Sequence, residues 1–257
     1  MGEGIGLREC KVPGTPMAEM KFVTTPLLTD VPGLVHGFGL RHDGTRAEAR
    51  AAAEEALRAQ GNVYFLRQVH GCVIATPPWT ELPDADASWT AETGTLLAIE
   101  TADCLPVLIV DPVHRRVAAA HAGWRGTVAK VARVAARTLV ATGSDPRSLV
   151  AALGPSIGAC CYEVGSDVEE AFGPEGARFF SSGHGERKHV DVAAANRAQL
   201  EAEGVLPGHI EAVALCTKCR PDLFYSYRRD QANAGRMISV IGFSRTTWEP
   251  ASFAPSA

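Results

Sequence analysis

Three apolar runs set close together constrain this chain more than any other feature: 95–101 (TLLAIET), 106–110 (PVLIV) and 117–120 (VAAA). A strand that alternates apolar with polar residues buries one face, whereas a strand that is apolar throughout must bury both. The runs therefore predict strands at the middle of a layered domain, and 149–153, 212–216 and 237–243 read as further strands of the same kind. Amphipathic stretches fall between them. The clearest helix follows Thr127, with Val128, Val131, Ala132, Ala135 and Leu139 on one face and Lys130, Arg133 and Arg137 on the other. Thr127 is expected to cap its start and Gly143 to end it. Ser166 and Glu169 have capping-box spacing, 191–203 reads as a helix stopped by Gly204, and the Ala/Glu/Arg-rich stretch 46–60 reads as another. Helices interspersed with buried strands predict an α/β or α+β layered fold. The linkers are short, so 21–257 is expected to be a single domain, with 1–20 a loose N-terminal tail.

The charge balance excludes some functions. The formal net charge is −4 and the basic residues are scattered, which does not suit nucleic acid. No apolar run approaches the roughly 20 residues of a membrane span, and the N-terminus has no leader pattern, so a soluble cytoplasmic protein is expected. The seven cysteines are odd in number and widely spread. They read as reduced thiols, some of them ligands, rather than a disulfide framework. CTKC at 216–219 resembles half a zinc ribbon, but there is no second CxxC and Cys160 and Cys161 are adjacent. GPSIGACCYEV contains Ser156 but does not form a G-x-S-x-G elbow.

Three metal-capable side chains sit where strand-like runs meet turns: His70 in RQVHGC, Cys104 in TADCLP and His121 in AHAGWRG. Two imidazoles and one thiolate are a recurring zinc set that leaves a fourth position open for water or substrate. Their wide spacing matches no compact metal motif, so the residues alone also allow two core or loop histidines and a buried thiol. Arg125, at the start of the Thr127 helix, suits an anion such as phosphate. YSYRRD at 225–230 places Arg229 among tyrosines, a pattern suited to stacking and phosphate pairing, and Arg41 lies in the glycine-flanked loop GFGLRHDG.

Taken in order, QVHG, TADCLPVLIVDP, AAAHAGWRGT, GPSIGACCYEVG and FYSYRRD…AGRM resemble the YfiH family, also labelled the multicopper polyphenol oxidase or laccase-domain family. The resemblance runs from about Lys21 to Phe243. It implies a sandwich of mixed β-sheets flanked by helices, sometimes grouped with cysteine hydrolases. It also implies a metal, usually taken to be zinc, held by His70, Cys104 and His121. The associated activities are phosphorolysis of adenosine, inosine and methylthioadenosine and deamination of adenosine, with peptidoglycan editing linked to some bacterial members. A true multicopper oxidase is disfavoured, because the chain has eight histidines and no H-x-H pair, although copper could replace zinc. A cytidine-deaminase-type site is disfavoured too, since P-C-x-x-C is absent: the one CxxC follows Leu215 rather than proline.

The expectation is thus a zinc-dependent purine nucleoside phosphorylase with adenosine deaminase activity, acting on a small nucleoside and phosphate as a monomer or small homo-oligomer. Arg41, Arg229 and Arg125 are expected at phosphate or substrate. Asp103 is expected as a proton shuttle or as an anchor behind the ligand Cys104, and Gln68 is expected to orient His70 or the substrate. Two rivals remain. One is a cysteine-dependent amide or peptide hydrolase with Cys104 as nucleophile and His121 as base; the other is a non-catalytic binding module.

Overall fold

The apolar runs become strands whose two faces enter different cores. A computed structural model describes residues 7–9 and 20–246. In chain order the elements are β1 (Leu7–Glu9), β2 (Lys21–Val23), α1 (Pro26–Thr29), β3 (Leu34–Gly39), α2 (Arg46–Leu57), β4 (Asn62–Tyr64), β5 (Ile74–Ala75), β6 (Ala87–Thr90), β7 (Thr95–Thr101), β8 (Leu105–Asp111) and β9 (Arg116–Ala122). They continue as α3 (Trp124–Val128), α4 (Val131–Ala141), β10 (Val150–Leu153), β11 (Glu163–Val164), α5 (Ser166–Gly176), β12 (Phe180–Ser182), β13 (Lys188–Val190), α6 (Val192–Ala202), β14 (Ile210–Ala212), α7 (Tyr227–Asp230) and β15 (Met237–Phe243). One six-stranded sheet runs β1-β2-β3-β15-β7-β4, a second runs β14-β10-β8-β9-β6-β5, and a three-stranded sheet runs β11-β13-β12. The large sheets are mixed: β4–β7, β10–β14 and β5–β6 pair parallel and the other pairs antiparallel.

The alternation of side chains along a strand explains why the runs are apolar on both faces. In β7, Leu97 and Ile99 join Phe38, Leu108, Val110 and Ile241 in the core between the two large sheets. Their neighbours Leu96 and Ala98 face the other way and pack with Ala49, Ala53 and Leu57 of α2. In β8, Leu105, Val107 and Ile109 pack against Val131, Ala135 and Leu139 of α4 and Leu200 of α6. The result is a helix–sheet–sheet–helix sandwich of mixed α/β type.

Local signals decide the helix ends. Thr45 and Glu48 close a reciprocal capping box at the start of α2. Asp191 caps α6 by accepting from Ala194 N–H at 2.8 Å, and Gly204, at φ 99°, follows its end. Gly143 likewise takes φ 103° just past α4. Three expectations shift. Thr127 does not cap a helix: Gly123 starts α3, Lys130 in the left-handed region separates α3 from α4, and buried Thr127 Oγ1 donates to Gly123 O and accepts from Asn196 Nδ2. Ser166 forms no capping box, since Gly165 is the cap residue and Glu169 instead accepts from Lys188 Nζ at 2.5 Å. The strand expected over 212–216 lies at Ile210–Ala212, where β10 offers a partner; beyond it only Cys216 bridges, to Ser156.

Of the expected tail, Leu7–Glu9 pairs antiparallel with Lys21–Val23, and the rest apart from Met20 lies outside the described residues. Among the described residues no helix is long and apolar enough to cross a membrane. Leu108 is fully buried between the sheets. Leu108→Ala is expected to cost about 2–5 kcal/mol, read in urea unfolding as a lower midpoint with unchanged slope.

Candidate metal centre and its cavity

Strand register brings the first two donors together. β8 and β9 pair Leu105 with Ala122 and Pro106 with His121, so Cys104 and Gly123, the residues just beyond the paired ends, come side by side. A Cβ on Gly123 would stand 2.8 Å from Cys104 Sγ and 3.4 Å from His70 Cδ2, and one on Gly126 would stand 3.0 Å from His121 O. The AHAGWRG motif therefore needs its glycines for close approach to the donors rather than for an unusual φ.

His70 arrives on the loop after β4 with φ 64°, a conformation that costs energy unless its surroundings hold it. Asp86 does so. Its carboxylate, fully buried just before β6, accepts the backbone N–H groups of Val69 at 3.1 Å, His70 at 2.9 Å and Gly71 at 2.7 Å, and also His121 Nδ1 at 2.8 Å. Burial opposes ionisation of Asp86, but the His121 and backbone hydrogen bonds outweigh it and hold the carboxyl below its usual range. An ionised carboxylate can only accept, so Nδ1 of His121 carries hydrogen and Nε2 is the atom left for the centre.

The donor atoms of His70, Cys104 and His121 lie within 4.8 Å of one another, with the two rings edge to face at 4.9 Å. Burial alone would raise the Cys104 thiol, yet the charge and hydrogen bonding of His121, then those of His70, bring it down to about 6. Burial would lower His121, but the Cys104 charge and Asp86 lift it to about 9. The two shifts reinforce each other, favouring the thiolate of Cys104 and the protonated ring of His121. Donors bound to one tetrahedral ion at about 2.0–2.3 Å stand roughly 3.5 Å apart, so these residues fit a metal with little movement. Two nitrogens and a sulfur leave one position open.

The centre lines a cavity of about 580 Å3. His70, Cys104, His121, Asp103, Gln68 and Arg125 all reach it. The Arg125 guanidinium lies 4.3 Å over the Trp124 ring and makes no side-chain hydrogen bond to another described residue, so its donors are open to the cavity. Gln68 exchanges hydrogen bonds with the main chain of Glu100, at 2.8 and 2.9 Å, rather than holding His70. Asp103, at φ 84°, accepts from Thr217 Oγ1 at 2.6 Å, Ser226 Oγ at 3.1 Å and Arg228 N–H at 2.6 Å, so it braces two loops behind Cys104. Arg41 and Arg229 do not reach this cavity. They line a separate depression with Tyr225 and Asp230. Arg229 spends its donors on the Asp230 carboxylate and the carbonyls of Thr217, Lys218 and Phe224, while Arg41 donates to Pro221 O and stacks over Tyr225.

Three site residues escape the sequence reading. Asp86 stands in PDADASW beside Asp84, which is exposed and pairs with Arg67, and nothing in the string separates the two acids. Arg228, not its neighbour Arg229, lines the cavity, lying 5.3 Å over the ring of Tyr162. Burial, then the Cys104 thiolate, pushes the Tyr162 phenol up, so it stays protonated.

Comparison with known proteins bears on this site. A family model described as multi-copper polyphenol oxidoreductase laccase matches residues 42–244. A purine nucleoside phosphorylase from Deinococcus radiodurans is 37% identical over 91% of this chain and 95% of its own length. An adenosine deaminase, RL5, from an unknown prokaryotic organism is 35% identical over 68% of this chain and 72% of its own. The crystal structure of YlmD from Geobacillus stearothermophilus superposes with a TM-score of 0.79 at 28% identity, covering 93% of this chain and all (100%) of that one. Asp86→Asn is expected to weaken metal binding about 10- to 100-fold, measured by competition with a chromophoric chelator; unchanged affinity would remove Asp86 from the centre.

Proposed function

This chain belongs to the multi-copper polyphenol oxidoreductase laccase family, and we propose that it is a purine nucleoside phosphorylase that also deaminates adenosine. The observation that carries the reading is one cavity holding the His70–Cys104–His121 donor set, the uncommitted Arg125 and the aromatic rings of Trp124, Tyr162 and Tyr227. The names of the two relatives support the same pair of reactions. Copper oxidase chemistry is a poor match. No metal-capable grouping among the described residues contains more than two histidines, fewer than a blue-copper site with a three-copper cluster requires.

His70, Cys104 and His121 would hold zinc, which when bound supplies Lewis acidity and an activated water. The chain's own residues divide the rest of the work. Phosphorolysis joins a phosphate oxygen to the anomeric carbon as the bond to the purine nitrogen breaks, so the sugar gains positive and the base negative charge. Arg125 orients the phosphate through its free fork of donors, with Trp124 fixing the guanidinium plane. Tyr162 keeps its proton and offers Oη as a donor to the departing base. Asp103, whose carboxylate accepts three hydrogen bonds, positions Arg228 and the Thr217 turn. Of the three arginines expected at phosphate, Arg125 is kept, because Arg41 and Arg229 line another depression and donate to Pro221 O, the Asp230 carboxylate and loop carbonyls.

The hydrolase alternative has one observation in its favour: Asp86, His121 and Cys104 align as orienter, base and nucleophile. Full amide hydrolysis after chelation would favour it. Adenosine or inosine incubated with phosphate is expected to yield free base and ribose 1-phosphate, and adenosine without phosphate to yield inosine, all resolved by chromatography. Unchanged substrate in both arms overturns the proposal. In a second measurement Arg125→Ala is expected to raise the KM for phosphate about tenfold or more, the scale of one lost charge-assisted hydrogen bond, with little change for the nucleoside.

A further inference from the structure

We propose that Cys160, Cys161, Cys216 and Cys219 form a second metal site, a closed four-thiolate centre for a thiophilic divalent ion of the zinc class. In the sequence the two pairs are far apart and neither is a motif by itself. Folding brings them together. The four Sγ atoms lie within 4.8 Å of one another, with Cys161 and Cys219 at 3.4 Å and Cys160 and Cys219 at 3.8 Å. Four sulfurs bound tetrahedrally at about 2.3 Å would stand roughly 3.8 Å apart. The observed cluster is therefore already near the required size.

The backbone around it is shaped for the purpose. Cys216 to Cys219 form a tight turn closed by Arg220 N–H to Cys216 O at 3.1 Å, and Gly158 to Tyr162 form another, with Cys161 and Tyr162 N–H both bonded to Gly158 O at 2.9 Å. The turns are joined by the Ser156–Cys216 bridge, and Gly158 N–H donates to Cys216 Sγ at 3.3 Å, the kind of contact that stabilises a sulfur carrying negative charge. Cys160 and Cys219 are exposed, so an ion has a path in.

With all four positions filled by protein the site is structural, with no opening for substrate. Its place in the fold gives it a task. Tyr162, directly after Cys161, lines the main cavity, and Thr217, directly after Cys216, bonds to Asp103 behind Cys104. The ion would fasten the loop that carries Tyr162 to the loop that leads to Arg228. The two metal sites share no residue, so this inference stands independently of the nucleoside chemistry.

The test is metal counting on the full chain. After loading with zinc and desalting, elemental analysis is expected to find two equivalents in the wild type, one in Cys104→Ala and one in Cys161→Ser/Cys219→Ser. Cobalt added to Cys104→Ala is expected to give the intense ligand-field and thiolate charge-transfer bands of a tetrahedral four-sulfur site. One equivalent in the wild type that disappears in Cys104→Ala overturns the proposal, as does a cobalt spectrum without those bands. A Cys161–Cys219 disulfide in the freshly purified chain, seen by mass spectrometry without reductant, would overturn it as well. The wild type and Cys104→Ala decide the matter even if the double variant does not fold.

Discussion

The buried carboxylate of Asp86 is the interaction on which the candidate centre rests. One side chain takes three successive backbone N–H groups from the His70 loop and the ring N–H of His121, and its own carbonyl accepts His121 N–H at 2.7 Å. Hydrogen bonds to a charged acceptor are worth about 1.5–3 kcal/mol each, and an ionised carboxylate left unpaired at this depth would cost far more. The loop and the strand therefore have to meet at Asp86. That single requirement holds His70 at its positive φ and selects the nitrogen that His121 presents.

The surrounding wall is held by a similar economy. Asp103 follows the end of β7 and binds the Thr217 turn, Ser226 and the start of α7, so the segment carrying Cys104 and the segment carrying Arg228 are fastened to each other. The cysteine cluster lies behind the same wall, between the Tyr162 loop and the Thr217 turn. The two carboxylates thus hold these segments, leaving Arg125, Trp124 and Tyr162 with side chains available to a ligand. The family label speaks of copper and phenols, but the donor count at this centre suits a single ion.

Much of the fold was legible because burial on both faces leaves a plain mark. The runs at 95–101 and 237–243 coincide with β7 and β15, and the helix ends at Gly143 and Gly204 follow from the conformations those residues take. The His70, Cys104 and His121 trio was legible through its motifs, with Cys104 and His121 at strand ends and His70 on a loop. Other parts were ambiguous in one dimension. Asp84 and Asp86 differ by two positions and lie in opposite environments, exposed and fully buried. Arg228 and Arg229 are neighbours on a short helix, and one turns to the cavity while the other is consumed by Asp230 and three carbonyls.

By itself the sequence determined the layered class, the long buried strands and the types of donor available, because hydrophobic periodicity and side-chain chemistry are properties of the string. The tertiary structure alone decided which donors meet. The register of β8 on β9 sets Cys104 against Gly123, the Asp86 carboxylate draws in the His70 loop, and the Ser156–Cys216 bridge brings two separated cysteine pairs to one point. Such meetings depend on pairings between distant residues, and local patterns carry no record of them.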